Sequence, residues 1–156
     1  ITLELFPEKA PKTVEMFLYN AKHGFYEATI FHRVIDGFMI QGGDPLTKDD
    51  SQMARWGTGG PGYSIADEHI AGPLLTNVRG TISMANAGPN SGGSQFFINL
   101  VDNTGLDFDK QPLSSKHPVF GRVIKGMEVV DAIGGVAVGA GDRPVTPVII
   151  TKATIR

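Results

Sequence analysis

FHRVIDGFMIQGGD, residues 31 to 44, sets Phe31, Val34, Ile35, Phe38, Met39 and Ile40 around an arginine and a glutamine. Apolar strands usually exclude such groups, because burying an unpaired charge or amide is costly. In an extended chain Arg33 falls on the same side as Phe31 and Ile35, and Gln41 shares a phase with Met39. An isolated arginine at a strand end would simply snorkel to water. Two further mixtures of this kind occur, MANAGPN at residues 84 to 90 and SQFFI at 94 to 98, where Asn86, Asn90 and Gln95 adjoin apolar residues. Such amides commonly satisfy loop backbone. Three clusters in one chain describe a lined cleft instead, with an apolar floor, amide donors and acceptors, and one fixed cation.

Outward from this stretch, twenty glycines and ten prolines cut the chain into short segments, which argues against a helical bundle. Ile1, Leu3 and Leu5 alternate with Thr2 and Glu4, the period of a strand with one buried face. YEATIFHRVI, GTISMA, SQFFINL, HPVFGRVI and VIITKATI read as strands too, rich in β-branched and aromatic residues and bounded by turn formers. Two segments differ. In PKTVEMFLYNAKHG, Val14, Phe17, Leu18 and Ala21 share a helical face, with Pro11 suited to the first turn and Gly24 to the stop. GMEVVDAI places Met127, Val130 and Ile133 on one side before Gly134 and Gly135. Many short strands with two helices predict a closed antiparallel barrel, since closure removes sheet edges. No repeat or linker divides the chain, and 156 residues fit one domain, 1–156, able to bury roughly two-thirds of its unfolded surface. The longest irregular stretch, residues 44 to 62, is long enough to be a functional loop, with Trp56 as its anchor.

Composition removes several function classes. The net charge of -2 supplies no field for nucleic acid or an anionic membrane. Without cysteine there is no disulfide, thiolate nucleophile or cysteine zinc site. No segment approaches the ~20 apolar residues of a membrane span. GTGGPG, residues 57 to 62, has the letters of a dinucleotide fingerprint, but no apolar strand precedes it and no helical pattern follows. His23, His32, His69 and His117 are dispersed, so no metal is expected, and Ser94 sits in GGSQF rather than in a nucleophile elbow. The absence of a leader pattern and of cysteine leads to an expectation of cytoplasmic residence.

FHRVIDGFMIQGGD, GTGGPGY, SMANAGPNSGGSQFFI and HPVFGRVIKGMEVVD, taken in order over nearly the whole chain, resemble the signature blocks of the cyclophilins, in particular single-domain bacterial and archaeal members. The resemblance implies a mainly β fold, an eight-stranded closed antiparallel barrel capped by two helices, and peptidyl-prolyl cis/trans isomerase activity that assists protein folding. It implies Arg33 as the catalytic residue and Phe38, Met39, Phe97, Leu106 and His117 as the pocket for the substrate proline. Gln41, Asn86 and Gln95 would hold the substrate backbone, with Gly57, Ala85 and Ala87 shaping the groove. The partners implied are proline-containing peptides and unfolded or flexible segments, met by a monomer without cofactor. In many relatives a tryptophan tied to cyclosporin binding precedes the Leu-Asp pair that is here Leu106-Asp107; Gly105 stands in its place, so only weak cyclosporin binding is expected. The segment DFDKQPLSSK is also longer than the usual turn, and PLTKDDSQMARW lengthens the loop after Gly43. The other reading is a module that grips proline segments without turnover, which would need the pocket but not Arg33.

Overall fold

Alternation at the start of the chain becomes strand β1 (Thr2–Leu5), with Leu3 and Leu5 packed on the core and Thr2 and Glu4 exposed. The computed structural model describes residues 1–69, 72, 75–110 and 116–156. Five further strands follow: β2 (Arg33–Ile35), β3 (Met39–Gly42), β4 (Thr81–Met84), β5 (Phe96–Asn99) and β6 (Val119–Lys125). They form one antiparallel sheet in the order β1-β6-β4-β5-β3-β2. Its register aligns Val34, Ile40, Ile98, Ile82, Gly121 and Leu5 in one row across all six strands. The first four of these are at most 2% exposed, so this row is the spine of the core. Glycine is required at 121, because a Cβ there would lie 2.5 Å from the Glu4 carbonyl oxygen and 3.1 Å from the Ile82 side chain.

Two helices cover the sheet, as the sequence predicts. α1 (Pro11–Lys22) starts on a proline, which costs nothing at a position whose amide has no helical partner. Val14 and Ala21 are buried, and Phe17 packs against Tyr26, Phe96 and Phe120 with ring centroids 5.1, 5.6 and 5.2 Å away. Ala10 cannot cap this helix. The Glu68 carboxylate does so from far along the chain, accepting from the Lys12 amide at 3.1 Å and from the Thr13 amide and hydroxyl at 2.8 Å each. α2 (Met127–Gly134) buries Val130 and Ile133 and is tied to the sheet by a bidentate pair, Arg79 Nη1 and Nη2 donating to Asp131 at 2.8 and 2.7 Å. No described helix is long and apolar enough to cross a membrane.

The closed eight-stranded barrel needs correction: the described residues form a six-stranded sheet that does not close, with β1 and β2 at its edges. Residues 28–31 and 148–150 do meet antiparallel, through amide bonds from Ala28 to Ile150 at 2.8 Å, Ile150 to Thr29 at 2.8 Å and Phe31 to Val148 at 3.0 Å. That contact stays an isolated bridge between Ile30 and Ile149. Ala28, at φ 62°, turns the chain at one end, and Pro147 has no amide to extend the ladder at the other. Phe31 is buried while Arg33, where β2 begins, is exposed.

Candidate active site

The β2–β3 hairpin places Arg33 directly opposite Gln41, and β5 places Phe97 opposite Gln41 on its other flank. Gly37, at φ 66°, supplies the tight turn between the strands. Val34 points inward and is 1% exposed, which sends Arg33 outward with 44% of its side chain accessible. Met39 is its diagonal neighbour in this register. Arg33 therefore projects from a fixed strand, in one row with Gln41 and Phe97 and diagonal to Met39.

Met39 and Phe97, 2% and 4% exposed, form an apolar floor. His117 stands edge-on to Phe97, with ring centroids 5.3 Å apart. Its Nδ1 is 2.9 Å from the Met84 carbonyl oxygen, which can only accept, so Nδ1 carries the proton. Burial lowers the His117 pKa, against the raising effect of that bond. The main-chain amide of His117 donates to Leu106 O at 3.2 Å, which joins these two half-buried residues into a wall. Asn103 links the wall to the rim, its Nδ2 donating to the Phe38 carbonyl at 2.9 Å and its main-chain carbonyl accepting the Leu106 amide at 2.9 Å. Phe38, Met39, Phe97, Leu106 and His117 are thus brought into one connected group.

The amides are engaged with one another and with loop main chain. Gln41 Nε2 donates to Gln95 Oε1 at 3.0 Å, and Gln95 Nε2 donates to the carbonyls of Gly57 and Gly59 at 3.0 and 2.8 Å. Gln95 therefore ties the long loop to the sheet. Both ends of that loop are held by Asp44, fully buried, whose carboxylate accepts the amides of Leu46, Gly57 and Gly59. Gly59 must be glycine, since a Cβ there would lie 2.0 Å from Asp44 Oδ1. Trp56 anchors the middle, its indole N–H donating to Leu46 O at 3.0 Å. Asn86 is similarly engaged: Nδ2 donates to Lys116 O at 2.6 Å and Oδ1 accepts from Gly88. Ala85 N–H bonds Gln95 O, and Ala87 N–H bonds Ser91 Oγ, so residues 85–88 form a braced strap. Among the described residues, neither main-chain polar group of Asn86 is hydrogen-bonded.

A buried polar network behind Leu106 and His117 escaped the sequence reading. Asn77 Nδ2 donates to Asp107 Oδ1 at 2.8 Å and to His117 O at 3.2 Å, while Asn77 Oδ1 accepts from Ser83 at 2.7 Å and Asn99 at 3.2 Å. Asn99 Oδ1 in turn accepts from Asn103 at 2.8 Å. The available signal was Asn99 inside the apolar run FFINL, the same kind of oddity as Arg33 and Gln41. No three His, Cys, Asp or Glu among the described residues are placed to hold a metal ion.

Burial also lowers the pKa values of His32 and His69. His32 is 6% exposed and neither ring nitrogen has a partner among the described residues. A histidine held below its unfolded value of about 6.5 stays neutral in the native state while the unfolded chain takes up a proton. Stability is then full at neutral pH and declines as the pH falls below about 6.5, at up to about 1.4 kcal/mol per pH unit for such a residue. Urea unfolding at pH 7.5 and pH 5 is expected to show this loss, and His32→Leu to reduce it. An unchanged pH difference in the variant would exclude His32 as its source.

The chain matches, over residues 1–155, the family model described as cyclophilin type peptidyl-prolyl cis-trans isomerase/CLD. It is 44% identical to the peptidyl-prolyl cis-trans isomerase-like 1 of Neurospora crassa, covering 99% of this chain and 86% of that one. It is 43% identical to the peptidyl-prolyl cis-trans isomerase ppi1 of Schizosaccharomyces pombe, covering 98% and 90%. Its backbone resembles a Cryptosporidium parvum cyclophilin crystallised in the presence of the dipeptide Ala-Pro, with a TM-score of 0.79 and 34% identity, covering 96% of this chain and 88% of that one.

Proposed function

Because the chain belongs to the cyclophilin-type peptidyl-prolyl cis-trans isomerases and is an enzyme of that activity, we propose that Arg33 is its catalytic residue. The proline ring of the substrate would sit on Met39 and Phe97, between Phe38, Leu106 and His117. The observation that carries this reading is a half-exposed guanidinium on a fixed strand beside that floor, with neither Nη group hydrogen-bonded among the described residues.

Rotation about a peptide bond faces a barrier of ~18 to 20 kcal/mol, because the nitrogen lone pair is delocalised into the carbonyl. The two prolyl isomers differ little in free energy, yet they exchange over tens of seconds or longer. In the twisted state the imide nitrogen becomes pyramidal and accepts a hydrogen bond. A donor from Arg33 strengthens there and nowhere else along the path, which is the condition for acceleration. A guanidinium suits the task because it stays charged and carries its donors in a rigid plane. The chain flanking the proline would lie along the strap, paired with the main-chain groups of Asn86 and with Gln41 Oε1. Gln95, Gly57, Ala85 and Ala87 would shape the groove. His117, neutral with its proton on Nδ1, serves as wall and not as acid or base.

Such a site reads proline and backbone, so its substrates are Xaa-Pro bonds in flexible or unfolded segments, and a single domain acting as a monomer suffices. The test is the cis-to-trans exchange rate of a short Xaa-Pro-Phe peptide, followed by exchange NMR with the intact protein. Acceleration at substoichiometric enzyme is expected. Saturable binding without acceleration would instead favour a proline-gripping module.

Gly105 governs one further property. It is exposed, and among the described residues a Cβ there would meet nothing within 4 Å. Gly105→Trp should tighten cyclosporin binding by about tenfold or more, the effect of adding a buried aromatic contact. Titration of both proteins with cyclosporin checks this, and equal affinities would sink it.

A further inference from the structure

The turn after α2 brings a carboxylate to Arg33. In Ala140–Asp142 both Gly141, at φ 70°, and Asp142, at φ 58°, adopt the left-handed backbone region. Glycine enters that region freely, whereas aspartate does so at a cost. The conformation places Asp142 Oδ2 3.5 Å from Arg33 Nε. The turn is braced on both sides. Gly139 N–H donates to Arg143 O at 2.8 Å and Val138 bridges to Pro144, while the Arg143 guanidinium lies 4.8 Å from the Trp56 ring centroid and donates to Met53 O at 3.1 Å. Asp142 is therefore held in place by its neighbours, independently of Arg33.

An exposed ion pair of this kind contributes little to stability, since both side chains are nearly half accessible. Its effect is on direction. Arginine has a long side chain with many rotamers, and a donor that must meet the imide nitrogen only in the twisted state gains from being aimed beforehand. A carboxylate at Nε engages one edge of the guanidinium and leaves both Nη groups for the substrate. We propose that Asp142 is a positioning residue for Arg33, with the 140–143 turn fixing the guanidinium and, through Arg143 and Trp56, the long loop from one foundation. This rests on Arg33 being the catalytic residue. Backbone strain retained at a position where glycine would relax it is consistent with such a role.

Asp142→Asn and Asp142→Gly test it, because both residues tolerate the local backbone and both remove the charge. Exchange kinetics with kcat and KM separated, the NMR signal of the Arg33 Nε–H, and Tm as a folding control are measured alongside Arg33→Ala. The expected result is a fall in kcat/KM of about three- to tenfold, carried by kcat, with a displaced Nε–H signal and unchanged Tm. Asn and Gly should lose by similar amounts, because the 3.5 Å contact is an ion pair and both substitutions remove its charge. If Arg33→Ala is inactive while both Asp142 variants stay within about twofold of the parent, this inference fails and the reading of Arg33 stands. If Arg33→Ala stays active, both fall. Losses that track Tm with an unmoved Nε–H signal would make Asp142 merely structural and overturn the proposal.

Discussion

Arg33→Ala is expected to lower kcat/KM for an Xaa-Pro peptide by about 10²- to 10³-fold, while peptide affinity falls by less than about tenfold. The magnitude follows from sharing out the barrier. An acceleration of about a millionfold requires about 8 kcal/mol. Removing one preorganised donor aimed at developing charge typically costs about 2.7 to 4 kcal/mol. The remainder belongs to the pocket and the strap, which hold the two ends of the peptide so that rotation about one bond is already isolated from other motions. Those parts survive the substitution, because Met39 and Phe97 are buried by the sheet and His117 is held by Met84 and Leu106, not by Arg33. Arg33→Lys keeps the charge but replaces the planar fork by a single ammonium, so it should recover only a small part of the loss. Peptide exchange rates and a binding isotherm for each variant decide the matter. A folded Arg33→Ala protein that keeps more than about a third of its activity would remove Arg33 from the mechanism.

The helices were legible because their signal is local. Val14, Phe17, Leu18 and Ala21 carry the helical period, and Pro11 marks the start whatever the rest of the chain does. Arg33 and Gln41 stand out in the sequence for the opposite reason, as polar residues in an apolar hairpin, and the role proposed for them starts from that oddity. Pairings made at long range were not. Nothing near Ala10 announces that Glu68 will cap α1, and nothing in SQFFI says that the Gln95 amide will be taken up by Gly57 and Gly59. The open sheet has the same origin: VIITKATI, residues 148 to 155, has the composition of a strand, but Pro147 and the turn at Ala28 stop a ladder that composition alone would continue.

Asn77→Ala is expected to cost about 3 to 5 kcal/mol. Asn77 is 0% exposed, and its side chain satisfies four groups at once: the Asp107 carboxylate, the His117 carbonyl, the Ser83 hydroxyl and the Asn99 amide. Truncation leaves several of these unpaired away from water, at about 1 to 3 kcal/mol for each group that finds no substitute. The sum is less than additive, because Asp107 keeps the Asn77 main-chain amide and the Thr76 hydroxyl, and Asn99 keeps Thr81. Against a total of about 5 to 15 kcal/mol this is a large fraction. The functional consequence follows from what the network supports. Asp107 follows directly on Leu106, and His117 O accepts from Asn77, so this side chain braces both Leu106 and His117 alongside their other contacts. Below its unfolding midpoint the variant should therefore show a raised KM with kcat much less affected, the reverse of the Arg33→Ala pattern. Urea denaturation with an unchanged slope gives the stability change, and steady-state exchange kinetics in the absence of urea give the second. A loss under about 1 kcal/mol would mean that ordered water replaces the amide, and an unchanged KM would mean that Leu106 and His117 are held by Asn103 and Met84 alone.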